Sequence, residues 1–210
     1  MDVTKLTQMQ KDVLREIGNI GAGNAATSMS KLLNRKVEME VPAVKIVSYD
    51  EMMELIGGPE AIIVALLFQI KGDAPGTVYF ILSIEEANAL IKEITQNSEL
   101  KLTNTADNEL AASVLQEAGN ILTGAYLSAL ADFTNMNLQP SIPYLSVDMA
   151  AAILTVGLLE ISQVTDYALI IDTKIHPSYL TNKIKGNFLF IPNPDSFTKI
   201  FQALGINDHD

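Results

Sequence analysis

The chain has no cysteine among its 210 residues. That absence excludes disulfides, Cys-ligated zinc and thiol catalysis together. Histidine is scarce as well: only His176 and His209 are present, and neither stands in a catalytic or metal-binding spacing. HExxH, GxSxG, P-loop and EF-hand patterns are all missing. Basic residues number 14 against 25 acidic ones, giving a formal charge of −11, and they form no run. A phosphate-binding surface needs clustered Lys and Arg, so nucleic acid is not an expected partner. The longest apolar runs, AIIVALLF at 61–68 and the interrupted MAAAILTVGLL at 149–159, are far short of a membrane span. The first ten residues, MDVTKLTQMQ, show neither a basic n-region nor an apolar h-region. A cytoplasmic protein that does not insert into membranes is expected.

What is there is a repeat. DVLREIGNIGAGNAA at 12–26 recurs as SVLQEAGNILTGAYL at 113–127, an offset of 101 residues. Between 12–42 and 113–143, nine positions are identical: Val, Leu, Glu, Gly, Asn, Ile, Gly, Asn and Pro. Pro42 follows Asn19 by 23 positions, and Pro143 follows Asn120 by the same number. On a helix, Asp12, Glu16 and Asn19 stand at i, i+4 and i+7. They fall within about 60° of arc and extend over about 10 Å of axis. Ser113, Glu117 and Asn120 repeat the arrangement. The apolar stripe beside each set faces a core.

With 48% hydrophobic and 19% charged residues, the chain has an ordinary globular composition. Thr7 and Gln10 read as a capping box, so the first helix should begin near residue 7 and run to about Leu33. The basic Arg35 and Lys36 that follow suit a helix C-terminus. Glycines at 18, 21 and 23 each cost about 1 kcal/mol relative to alanine, and a break or bend is expected near Gly21–Gly23. VEMEV at 37–41 alternates as a half-buried strand stopped by Pro42. The segment 44–49 is extended or a loop, and 50–57 is a short helix. A hairpin over 61–83 and a helix over 84–96 complete the first half.

The polar stretch 97–108 reads as a linker between halves of about 1–100 and 101–210, together one domain. The second motif helix runs from about Asn108 to Asn135. Pro140 and Pro143 mark a loop, and 144–162 mixes helical and strand-like character. The stretches 166–175 and 186–192 read as strands, and 195–205 as a final helix. Internal duplication follows from these matches.

A charged stripe opposite a core is ordinarily a solvated face. Duplication changes the weighing. Arg15, Lys31 and Arg35 became Gln116, Asp132 and Met136 in the second copy, while Glu and Asn were kept. Gly18 and Gly119 read as close-packing points against a neighbouring helix. Gly23 and Gly124, one turn beyond each Asn, would let a partner's backbone approach the amide. A dinucleotide loop is excluded because these glycines follow helical residues, not a strand. Without Cys, a usable His or a metal cluster, an enzyme has two options. It can pair carboxylates as glycosidases do, or it can position water on an already activated substrate. An amide beside a carboxylate fits the second better.

The pattern [Asp/Ser]-x3-Glu-x2-Asn-x22-Pro, present twice, resembles the signature of the CheC/CheX/FliY family of chemotaxis phosphatases. The resemblance spans essentially the whole chain, including LLNRKVEMEVP at 32–42 and YLSALADFT at 126–134. It implies an α+β fold with a pseudo-twofold repeat: one antiparallel sheet of about six strands, with the two motif helices on an exposed side. It implies hydrolysis of the aspartyl phosphate of the response regulator CheY, with Asn19 and Asn120 orienting water and Glu16 and Glu117 contacting the regulator. Asp12, Ser113, Pro42 and Pro143 would serve docking. The chain would bring no cofactor or metal of its own, because CheY supplies a divalent cation, Mg2+. The resemblance also implies a second partner, the receptor deamidase CheD, with Asp148 as a candidate contact, and a monomeric chain. A non-catalytic adapter binding CheD and phosphorylated CheY is the competing reading. A carboxylate-pair hydrolase is a third, and it needs an acid close to Glu16.

Overall fold

Strand alternation decides the layering. The computed structural model describes residues 7–41, 43–102, 108–161, 167–177 and 183–205. Along β3 (Ile62–Gly72) and β4 (Gly76–Ser83), Val64, Leu66, Phe68, Val78, Phe80 and Leu82 enter one apolar core. Ile63, Ala65, Tyr79 and Ile81 enter a second core on the other face. β7 (Tyr167–Pro177) and β8 (Ile184–Pro192) divide likewise, with Ile171 and Phe188 on one side and Ile170 and Leu189 on the other. Because both faces are covered, these strands read in sequence as near-continuous apolar runs.

The sheet has six lanes, as the resemblance implies, but eight strands fill them among the described residues. The order is β1-β7-β8-β4-β3-β5, all antiparallel, and each edge lane is split in two. β1 (Val37–Glu40) and β2 (Val44–Ser48) pair successively along β7. β5 (Leu138–Pro140) and β6 (Tyr144–Met149) do the same along β3. β5 falls where the sequence indicates a proline-marked loop. Pro140 is accommodated because the lane is an edge, where one side of the strand needs no ladder donor. Pro143 lies in the second split, between β5 and β6. Pro42 lies outside the described residues. Each half lends its edge lane to the other half's hairpin, so the halves interlock.

α1 (Gln8–Leu33) and α4 (Glu109–Thr134) are the motif helices, each 26 residues long. With α3 (Ile84–Thr95) and α6 (Pro194–Ala203) they cover the first core. α2 (Tyr49–Leu55) and α5 (Ala150–Ile161) cover the second. The expected linker is anchored where it is described. Asn88 of α3 donates to the Leu102 carbonyl at 3.1 Å and accepts the Leu102 N–H at 2.7 Å. Residues 103–107 are outside the described set.

The expected break at Gly21–Gly23 does not occur, and α1 is one continuous helix. Packing explains this. A Cβ on Gly21 would stand 2.5 Å from Tyr126 Cδ1 on α4, so the missing side chain is what lets the helices meet. Contact of this kind outweighs a propensity cost of about 1 kcal/mol. Asn34 and Asn135, one of the nine repeated identities, end the two helices with left-handed φ values of 50° and 54°, a conformation asparagine tolerates better than most residues.

Candidate active site

Packing accounts for part of the repeat. Leu14 and Leu115 are buried, and Val13, Val114, Ile20 and Ile121 pack against the core edge. Gly18 and Gly119 are close-approach points, but against strands and not against a neighbouring helix. A Cβ on Gly18 would meet Val41, Val44 and Ile171, and one on Gly119 would meet Leu66 and Phe68. Three repeated identities gain nothing from packing. Glu16, Asn19, Glu117 and Asn120 are all exposed, and a Cβ on Gly23 or Gly124 would have nothing within 4 Å. Among the described residues, none of the four polar side chains has a hydrogen-bond or ion-pair partner. An acid, an amide and a bare glycine thus line the same open face on both helices.

The neighbouring positions differ between copies. Asp12 is held from two sides: Arg15 pairs with its carboxylate at 2.9 Å and Gln8 donates to it at 3.2 Å. Both contacts fall on Oδ1 of a solvent-exposed carboxylate, so they orient the Asp12 side chain without sequestering it. Ser113 is exposed. Gln116, beside Glu117, donates to the Pro143 carbonyl at 3.4 Å and ties the second split of the sheet edge to the motif helix. Neither Arg15 nor Gln116 stands out in sequence as part of the site, although Arg15 lies at the i+3 spacing that reaches Asp12.

The two faces do not share a cleft between the helices. Asn19 stands about 200° around α1 from Gly21, the residue that meets α4. Asn120 stands about 120° around α4 from Tyr126. Each amide addresses its own stretch of surface. Beneath them, Tyr126 fixes the helix pair. Its ring lies 4.7 Å from that of Phe188, and its hydroxyl is 3.0 Å from Thr173 Oγ1. Burial pushes the Tyr126 hydroxyl up to about 12.

Asp148 lies elsewhere, at the exposed end of β6 opposite Ile63. Its carboxylate accepts the Met149 N–H at 2.7 Å, just before α5 begins. His176, half-buried on β7, stands 3.5 Å from Glu40, which also pairs with Lys183. His209 is outside the described residues. Among the described residues no three metal-ligating side chains come together, and no helix is long and apolar enough to cross a membrane.

Chemically, an exposed side-chain amide carries both an acceptor and two donors. It can hold a water by its oxygen while its NH2 faces an anionic oxygen. With no histidine or cysteine side chain beside it among the described residues, the face's own side chains are equipped to position a water more than to activate one.

Comparison with known proteins follows the same two segments. The CheC-like family matches residues 9–46 and 110–146, which hold most of both motif helices and the edge lanes after them. The chain is similar to the CheY-P phosphatase CheC of Bacillus subtilis (strain 168). Identity is 40% over 200 residues, covering 95% of this chain and 96% of that one. It is also similar to the flagellar motor switch phosphatase FliY of the same organism, at 26% over 143 residues, covering 68% of this chain and 36% of that one. Among solved structures, Thermotoga maritima FliY superposes with a TM-score of 0.75 at 19% identity, covering 95% of this chain and 98% of that one. A chemotaxis protein CheX from Desulfovibrio desulfuricans gives 0.54 at 12% identity, covering 85% and 99%. At these identities the structural likenesses speak to the fold alone.

Proposed function

The chain belongs to the CheC-like family, and from that premise we infer that it is a phosphatase of phosphorylated CheY, hydrolysing the aspartyl phosphate of that response regulator. The observation that carries the reading is the pair of exposed, unengaged Glu–Asn faces at Glu16/Asn19 and Glu117/Asn120.

An acyl phosphate is already reactive, so the enzyme has little covalent chemistry to do. The motif amide enters beside the phosphoryl group, its oxygen accepting a hydrogen bond from the attacking water and its NH2 donating to a phosphoryl oxygen. The water oxygen bonds to phosphorus as the bond to the aspartyl oxygen breaks, releasing inorganic phosphate and the free carboxylate. Positioning of this kind contributes on the order of 10- to 1000-fold, or about 1.4–4 kcal/mol. The motif glutamate, which would repel phosphate, pairs instead with a lysine of the regulator's active site and fixes the register, a charge-assisted contact worth about 1.5–3 kcal/mol. Asp12 and Ser113 contact the partner without joining the chemistry; the hold of Arg15 on Asp12 presets that contact. Pro42 and Pro143 serve docking of the regulator. The divalent cation, Mg2+, comes with the regulator.

In this reading the protein works as a monomer in the cytoplasm. The deamidase CheD docks at the β6–α5 junction, where Asp148 is exposed on the sheet edge. The test is turnover. Substoichiometric chain mixed with excess phosphorylated CheY should release many phosphates per chain. Release that stops at one phosphate per chain, or never exceeds spontaneous decay, would leave only the adapter role.

A further inference from the structure

α1 carries a second polar feature beyond its amide. An open cleft of about 590 Å³ is lined by Thr27, Ser30, Lys31, Asn34, Arg35 and Lys36, among other residues. Positions 12, 16, 19, 23, 27 and 30 of α1 fall within about 80° of arc, so the cleft continues the face that bears Asp12, Glu16 and Asn19. Thr27 and Ser30 lie roughly 12 Å and 17 Å along the axis from Asn19. Between amide and cleft, Gly23 presents no side chain and has nothing within 4 Å. A partner footprint of about 800 Å², some 30 Å across, spans both Asn19 and the cleft when it extends from the amide toward the helix C-terminus.

The cleft gathers cations in a chain where acids outnumber bases 25 to 14. Lys36 is engaged by Glu38, whereas Lys31 makes no ion pair among the described residues. Ser30 is committed to structure, taking the Val37 N–H at 2.9 Å and holding the helix end against β1. The second half lacks this arrangement: Asp132, Met136 and Asn137 stand where the first has Lys31, Arg35 and Lys36.

We propose that this cleft is the part of the first docking surface that receives carboxylates from the rim of the phosphorylated regulator, so that two chemically equivalent sites differ in electrostatics. The proposal rests on the phosphatase reading above. A divalent cation such as Mg2+ beside an acyl phosphate is held by one or two carboxylates together with phosphoryl oxygens and waters. The partner is therefore acidic where it meets the motif face, and a cationic cleft that continues this face complements it. Lys31 lies about 18 Å along the axis from the amide, with Arg35 and Lys36 past the helix end. These cations act through direct contact with that rim, because the Debye length in physiological salt is about 8 Å. Opposite charges meeting across an interface chiefly steer and orient association. The cleft therefore governs KM and leaves the water-positioning step alone.

The experiment isolates each site. Initial rates against phosphorylated-regulator concentration are measured for Asn120→Ala, in which only the first site works, and for Asn19→Ala, in which only the second works. Each is made with and without Lys31→Glu, and with the milder Lys31→Gln/Arg35→Gln pair. The expected result is a KM raised about fivefold by Lys31→Glu in the Asn120→Ala background alone, with kcat unchanged. Raising salt from about 50 to about 300 mM should raise the first site's KM more than the second's. An unchanged KM, or an equal rise in both backgrounds, would overturn the proposal while the phosphatase reading stands. If no background accelerates decay, the phosphatase reading falls and takes the proposal with it. A self-association of the wild-type chain that Lys31→Glu abolishes, with KM unchanged, would assign the cleft to a second copy and overturn it too.

Discussion

Gly21 and Gly23 stand two residues apart in one unbroken helix, and alanine at the two positions should act in opposite directions. The propensity gain is the same at both, about 1 kcal/mol in a helix interior. At Gly23 nothing lies within 4 Å of the added Cβ, so the gain is uncompensated. For a chain of this size it corresponds to a melting temperature about 2–4 °C higher. At Gly21 the added Cβ would lie 2.5 Å from Tyr126 Cδ1, 3.2 Å from Cε1 and 3.1 Å from Cα. The ring has little freedom to yield, because it lies against Phe188 and its hydroxyl is bound to Thr173. The remaining relief is to push α4 off α1, and overpacking of this kind costs about 1–3 kcal/mol. Gly21→Ala should therefore lie about 1–3 kcal/mol below Gly23→Ala in unfolding free energy. Urea unfolding followed by far-UV circular dichroism, with matched slopes, measures the difference. Equal stability of the two variants would refute the helix contact at Gly21. Activity should run against stability at Gly23. If its bare backbone admits the regulator, the stabilised variant slows first-site dephosphorylation.

Tyr126→Phe removes the hydroxyl from Thr173 and should cost about 1 kcal/mol, read by the same unfolding assay. Its pH dependence has a definite sign. The folded pKa is raised from 10.0 to about 12, so the contribution is complete below pH 10 and is lost as pH rises toward 12. Tyr126→Phe should flatten that alkaline limb. Ser48 caps α2, accepting the Glu51 N–H while Glu51 accepts the Ser48 N–H, and Ser48→Ala should cost about 1 kcal/mol. The Ser48 backbone N–H and hydroxyl hold the Glu51 carboxylate below its ordinary range. That contribution is present above the usual carboxylate pKa and is lost as pH falls through the lowered one. Ser48→Ala keeps the backbone N–H, the larger cause, and removes the hydroxyl, so it should flatten the acid limb only in part.

The motif helices were legible because their signals are local: apolar periodicity, polar spacing and a repeat. The central strands were legible as apolar runs, and the amphipathic helix after each hairpin by its acidic first turn. What stayed hidden depends on distant residues. That Gly21 seals against Tyr126, and so keeps α1 straight, requires knowing that positions 105 apart are in contact. The strand contacts of Gly18 and Gly119 are hidden for the same reason. β5 carries Pro140 and no alternation, and only its pairing with β3 makes it a strand. The mixed character of 144–162 is real: β6 runs into α5 at Met149–Ala150 with no Gly or Pro between them. At the site, spacing alone aligned Glu and Asn. Their exposure, and the emptiness beside Gly23 and Gly124, came from the structure. Lys31 and Arg35 were visible too, but the basic pair at 35–36 reads most simply as a complement to the helix dipole.

The central claim is that two amides, one on each motif helix, orient the water that hydrolyses the acyl phosphate. The most direct measurement is the decay of phosphorylated CheY with catalytic amounts of wild type, Asn19→Ala, Asn120→Ala and the double variant, alongside their affinities for a stable phosphoryl-mimic complex of CheY. Each single variant should keep part of the acceleration, and the double variant should lose it, by about 10- to 1000-fold, while still binding. A double variant that accelerates decay as well as the wild type would contradict the account.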